Sequence, residues 1–126
     1  MRLWLIAAAV NGFIAIAMGA FAAHGTPAAQ VGAPAGWIET GARYEMWHAL
    51  ALLIVALLAR VDGAGGRCLG LAGWAFLVGM VLFSGSLYLL ALTDFSPLAL
   101  ITPLGGLAFL VGWVALTIHG VMRRAG

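Results

Sequence analysis

Four stretches of the chain carry no formal charge: 3–38, 46–59, 68–93 and 95–122. A hydrocarbon core about 30 Å thick takes about 20 helical residues to cross. The first, third and fourth stretches are each long enough. The second has 14 residues, a length that also suits a buried core helix. Tyr44 and Trp47 nevertheless form an interfacial belt at its front, and Arg60 can snorkel at its back. Running it from 43 to 60 makes it a span. The pattern therefore predicts four helices near 3–23, 37–60, 69–92 and 98–122. Lipid offers no partner to unpaired backbone groups, so each span must be helical. None of the charge-free stretches alternates with the two-residue period of a barrel strand. The expected fold is all-α: a single domain, 1–126, forming a compact bundle of four transmembrane helices.

Composition sharpens this picture. Residues of the AVILMFWYC set make up 64% of the 126, and 8% are charged: six arginines, no lysine and four acids. Ten charged side chains cannot clothe a soluble domain, which excludes a soluble globular enzyme. The long apolar runs exclude disorder. Cys68 has no second cysteine to pair with, which excludes a disulfide scaffold. Arg2, Arg60, Arg67, Arg123 and Arg124 fall on one side of the predicted bundle and Arg43 alone on the other. Short loops rich in arginine stay inside, so both termini are expected in the cytoplasm, with Cys68 on the reducing side. The arginines are too sparse for a nucleic-acid surface. Arg2, the apolar run and Ala20-Phe21-Ala22 also resemble a signal peptide, but the run is longer than a usual signal core, and an intact first helix is expected.

The connections carry their own signals. In the loop from His24 to Gly36, Thr26-Pro27 reads as a cap and first helical residue of a short surface helix. Pro34 and Gly36 are expected to interrupt it before the second long helix starts at Trp37. Glu39 and Arg43 are spaced i,i+4 with the acid first, the favourable order. The turn at 61–67 is rich in glycine. Ser96 is expected to cap, and Pro97 to open, the fourth helix. Thr102-Pro103 repeats that grammar, predicting a kink or first-turn irregularity near the outer face. Small residues recur at four-residue spacing in Ala8/Gly12, Ala15/Gly19, Ala75/Gly79 and Ala108/Gly112, allowing close helix approach. A Gly12→Ile change is accordingly expected to destabilise the bundle.

Polar groups inside a bilayer are candidates for function. Asn11 lies mid-membrane, where a hydrogen bond to a neighbouring helix is expected. Ser84 and Ser86 lie in the outer half of the third span. No acid or base falls near a midplane, which argues against a proton-coupled pump. His24, Arg43, Tyr44, Glu45, His48 and Asp94 share the outer face at similar depth. Tyr44 and His48 are i,i+4, and Glu45 and His48 are i,i+3, so one helix face can present them together. Two histidines and an acid suit a transition metal or a small ligand. The same residues suit a hydrogen-bonded seal or a partner contact, and the spacing matches no metal signature. His119, near Arg123 and Arg124, suits the C-terminus of a helix. Trp4, Trp74 and Trp113 read as interface and packing residues. No nucleophile–base pair, phosphate loop or haem motif is present, and Ser84-Gly85-Ser86 does not form a nucleophile elbow. No cofactor is expected.

Four motifs occur in order: Gly19-Ala-Phe-Ala-Ala-His24, Tyr44-Glu-Met-Trp-His48-Ala-Leu-Ala-Leu-Leu53, Phe83-Ser-Gly-Ser-Leu-Tyr88 and Ile101-Thr-Pro-Leu-Gly-Gly106. Together they resemble the domain of unknown function 423 family, also described as YgdD-like or transmembrane protein 256. Ala22 stands where that family's first motif usually has a second glycine. The resemblance covers almost the whole chain. It implies a small multispanning protein of the bacterial inner membrane, with mitochondrial relatives, and supplies no catalytic residues or substrate. It draws attention to His24, Tyr44, His48, Ser84, Ser86, Thr102 and Pro103. The expected role is non-enzymatic: an accessory or assembly subunit acting through partners in a larger membrane complex, with a homo-oligomer left open as the other form of assembly. Two alternatives stay open, an oligomeric transporter of ions or small molecules and a periplasm-facing binder of a metal or small ligand using His24 and His48.

Overall fold

The computed structural model describes residues 2–25, 33–63 and 66–125. Four spans cross from end to end, over Arg2–His24, Gly36–Val61, Arg67–Thr93 and Ser96–Arg123. Helix α1 (Arg2–Ala20) ends in a π-helical turn, Phe21–Gly25. Helix α2 runs from Ala33 to Val61. The third span joins α3 (Arg67–Gly79) to α4 (Gly85–Thr93) through a second π turn, Met80–Ser84. A 3-10 turn over Ser96–Leu100 leads into α5 (Thr102–Ala125).

Three local expectations are corrected. Helix α2 begins at Ala33 and runs through Pro34 and Gly36. Proline in a first turn lacks only an N–H that has no helical partner anyway. Ser96 does not cap: Phe95 holds the N-cap position, no side chain bonds there, and Ser96 is the first residue of the 3-10 turn, with Pro97 beside it. Asn11 donates from Nδ2 to the Ala7 carbonyl of its own helix at 2.8 Å, with no bond to a neighbouring helix among the described residues. The short helix expected after Thr26-Pro27 lies outside the described residues.

The spans are not equally enclosed. Of the most apolar window in each, 11% of the first is buried inside the chain against 50% of the third. Helices α2 and α3 form the centre; α1 packs chiefly on α2, and α5 chiefly on α3. The core holds Leu52, Val55, Leu69, Phe76 and Met80, each nearly or fully buried. Leu5, Phe13, Ile16, Leu107 and Val114 are among the large apolar side chains that point outward, as a lipid solvent allows. Trp4 reaches across from α1 to meet Trp74 edge-on, ring centroids 5.0 Å apart.

Glycines set the close approaches. A Cβ on Gly79 would meet the Phe109 ring at 2.4 Å, and one on Gly112 would meet the Phe76 ring at 2.5 Å. The third and fourth spans thus exchange a phenylalanine for a glycine in both directions. A Cβ on Gly105 would strike the backbone nitrogen of Phe83 at 2.3 Å, and one on Gly73 would strike the Trp4 ring at 2.7 Å. Gly12 is different: a Cβ there meets nothing within 4 Å. The expectation that Gly12 carries tight packing is therefore corrected. On α1 it is Ala8 and Ala15 that are buried.

At the arginine-rich end, α2 closes with Gly63 in the left-handed region (φ 67°), a conformation that glycine adopts without strain. Asp62 just before it accepts from Nε2 of His119 at 2.9 Å and from Nη2 of Arg123 at 3.0 Å. That carboxylate fastens the end of α2 to the end of α5.

Gly105→Ala should destabilise the protein by about 1–3 kcal/mol, because backbone cannot move aside for a methyl group. Gly12→Ala should leave the protein as stable as the wild type or more stable by up to about 1 kcal/mol, because alanine suits a helix interior better than glycine and meets no neighbour there. Equilibrium unfolding in mixed micelles, followed by circular dichroism, measures both.

Candidate functional site

The half of the bundle away from the arginine-rich end gathers its buried polar side chains into contacts between spans. Glu45, His48, Ser84 and Ser86 are the polar residues buried there. Each has a partner. Tyr88 donates its hydroxyl to Oε2 of Glu45 at 2.5 Å, joining α2 to α4. Ser84 donates to the Gly41 carbonyl at 2.7 Å. Ser84 closes the π turn, where one extra residue in the helical turn rotates the following face. Beside it, a Cβ on Gly41 would meet the Tyr88 ring at 2.8 Å. Ser86 bonds the Phe83 carbonyl and lies 2.6 Å from Oγ1 of Thr102. The third span is thereby tied to α2 on one side and to the start of α5 on the other.

His48 is held by both ring nitrogens. Nδ1 lies 2.7 Å from the Tyr44 carbonyl, and Nε2 accepts from Nε1 of Trp113 at 3.0 Å. A carbonyl only accepts, so Nδ1 carries the proton and the ring is the neutral Nδ1–H tautomer. Its face stacks on Phe109, centroids 3.6 Å apart and planes within 9°. Tyr44, Phe83, Phe76 and Trp113 continue the cluster. A groove of about 530 Å³ opens along it, lined by α2, Phe83 and α5, with Trp47, His48 and Leu110 in its lining. The lining is almost wholly apolar and aromatic.

The six residues expected to share one outer-face cluster do not converge. Glu45 turns to Tyr88, and His48 to Trp113. Tyr44 lies in the aromatic cluster, half-buried, stacked beside His48. Arg43 is exposed and pairs with Glu39 at 3.0 Å on its own helix. Asp94 is exposed at the end of α4 in the left-handed region, φ 54°. His24 is exposed in the π turn that ends α1. Among the described residues, no three histidine, cysteine or acidic side chains come together as a metal site would need. The lone pair of His48 Nε2 is already engaged by an indole N–H. Thr102 opens α5 and touches Ser86, while Pro103 sits in the first turn, with the 3-10 turn immediately before.

Tyr88, Trp113 and Gly41 are the partners that the sequence alone did not single out for these roles. Glu45 and Tyr88 are separated by 43 residues and His48 and Trp113 by 65, so no local spacing signals either pair. An indole or phenol placed level with a buried carboxyl or imidazole was the one available clue.

A four-span bundle sealed by interhelical polar contacts defines a polytopic membrane protein. The comparisons give its family. The family model described as protein of unknown function, DUF423, matches residues 18–106. The UPF0382 membrane protein YwdK of Bacillus subtilis is 42% identical over 125 residues, covering 96% of this chain and 98% of its own. A UPF0382 membrane protein of Haemophilus influenzae is 44% identical over 113 residues, covering 90% of this chain and 89% of its own. The UPF0382 inner membrane protein YgdD of Escherichia coli K12 is 43% identical over 134 aligned positions, covering 99% of this chain and 95% of its own. No solved structure matches the chain. The chain belongs to the DUF423 (UPF0382) family of membrane proteins.

Tyr88→Phe should cost about 1–2 kcal/mol, because it strands a buried carboxyl. Ser84→Ala should cost about 0.6 kcal/mol, near the average for a hydrogen bond between membrane helices. Adding Glu45→Leu to Tyr88→Phe should recover part of the first loss. A double-mutant cycle in micelles reads the coupling.

Proposed function

We propose that this is a non-enzymatic inner-membrane protein that acts through other membrane proteins, as an accessory or assembly subunit, with both termini in the cytoplasm. The observation that carries the reading is the state of α1. It is the least enclosed span, and Asn11 lies near its middle. The Asn11 amide gives one hydrogen to Ala7 and leaves its oxygen with no partner among the described residues. An amide oxygen in hydrocarbon favours any helix that brings a donor to it. The open space at Gly12 lets such a helix approach closely beside it.

The buried polar groups of the outer half support the same reading, since each is spent on holding the bundle together. The arginine distribution supports the orientation. Arg2 and Arg60 flank one groove and Arg67 and Arg123 another, at the end opposite Arg43. Basic residues at the ends of spans are retained on the cytoplasmic side.

The test is native-size analysis after gentle detergent extraction, with mass spectrometry of whatever comigrates. The wild-type protein should migrate in a large assembly with stoichiometric neighbours. Asn11→Leu should release it while leaving its own unfolding midpoint unchanged, because the Asn11 bond lies within one helix. A lone 13 kDa species, a homo-oligomer, or neighbours retained by Asn11→Leu would each overturn the reading.

A further inference from the structure

A second groove, of about 470 Å³, lies at the arginine-rich end between the start of α3 and the end of α5. It is lined by Gly66, Arg67, Cys68, His119, Met122 and Arg123. We propose that it is a binding site for the phosphate headgroup of an anionic phospholipid.

Charge is the first argument. Asp62 uses one oxygen on His119 and the other on Arg123, which pins both side chains to the groove wall. The carboxylate is largely covered, at 16% exposure, while the Arg123 side chain keeps 49%. One edge of that guanidinium is therefore free to face a ligand. Arg67 is exposed and has no acidic partner among the described residues. Two guanidinium groups thus face the groove against one carboxylate already in use. A guanidinium presents paired N–H donors that match phosphate oxygens.

The backbone adds to this. Gly66 holds the N-cap position of α3, and no side chain among the described residues caps it. Leu69 already donates its N–H to the Gly66 carbonyl at 3.0 Å, which leaves the N–H groups of Arg67 and Cys68 without a partner among the described residues, where the helix dipole favours an anion.

Depth and chemistry choose the occupant. Arg67 begins the third span and Arg123 ends the fourth, so the groove lies at headgroup level. Its other wall is apolar: Met122 lines it, and both Met122 and the neighbouring Val121 are more than 60% exposed. A cationic floor joined to an apolar wall fits a molecule that is phosphate at one end and hydrocarbon at the other. Basic pockets between spans on the cytoplasmic side bind lipid headgroups by the same logic.

The test uses the full chain in neutral detergent and native mass spectrometry, with phosphatidylglycerol, phosphatidylcholine or inorganic phosphate added in separate samples. Phosphatidylglycerol should bind in preference to phosphatidylcholine. Arg67→Gln should weaken that binding about fivefold, the size expected for one arginine at an anionic surface. Because Arg67 makes no ion pair within the described residues, this variant should keep the wild-type unfolding midpoint. Arg43→Gln, at the opposite end, should bind as the wild type does. Equal binding of the two lipids, or full retention by Arg67→Gln, would overturn the site. Displacement of phosphatidylglycerol by an equal concentration of inorganic phosphate would overturn the lipid as its occupant.

Discussion

The exchange of phenylalanine for glycine between the third and fourth spans sets the distance on which the rest of the bundle depends. Phe76 lies over Gly112, and Phe109 lies over Gly79. Lipid tails are as apolar as the helices, so the spans gain little by merely hiding apolar surface from water. Contact area and hydrogen bonds must hold them. A ring seated on a glycine supplies that area at a short axis-to-axis distance. It also places Phe109 where His48 can stack on it and Trp113 where it can reach His48. The contact between His48 and Trp113 thus follows from an apolar fit one turn away.

The half of the bundle around His48 shows how a membrane protein uses polar residues without exposing them. Glu45 and Tyr88, Ser84 and Gly41, and Ser86 and Thr102 each join residues far apart in sequence. The π turn over Met80–Ser84 makes two of these possible. It shifts the face presented by α4 relative to α3 by the extra residue, so that Ser84 meets α2 while Ser86 meets α5. At the other end, Asp62 performs the equivalent joining with an ion pair. The bundle is fastened at both ends and packed by rings and small residues between them.

The spans were legible in the sequence because a bilayer forces one reading: an apolar run of sufficient length must be a helix. The Glu39–Arg43 pair was legible because its spacing is local. Pairings across the bundle were not, since Glu45 and Tyr88 or Asp62 and His119 share no spacing rule. Small-residue spacing marked Gly12 and Gly112 alike, yet only Gly112 receives a ring. The rule states that a face permits close approach, and says nothing of whether a neighbour takes it. The π turns were invisible for a related reason: their residues are ordinary helix residues, and the extra residue is set by tertiary contact. The six outer-face residues share a depth, but depth alone does not place side chains on one side of a helix.

The phenylalanine–glycine exchange also orders the events of biosynthesis. Membrane helices enter the bilayer in chain order as the ribosome delivers them. The first two spans can settle against each other early, since α1 packs chiefly on α2. The third span then arrives with Gly79 uncovered and Phe76 without its seat. Both wait for α5, which follows them in the chain. Until Phe109 and Gly112 leave the ribosome, the newborn protein is a set of inserted helices with an unfilled seam. A chain truncated before Phe109 would keep its first three spans, with Gly79 lacking its ring and Phe76 its seat.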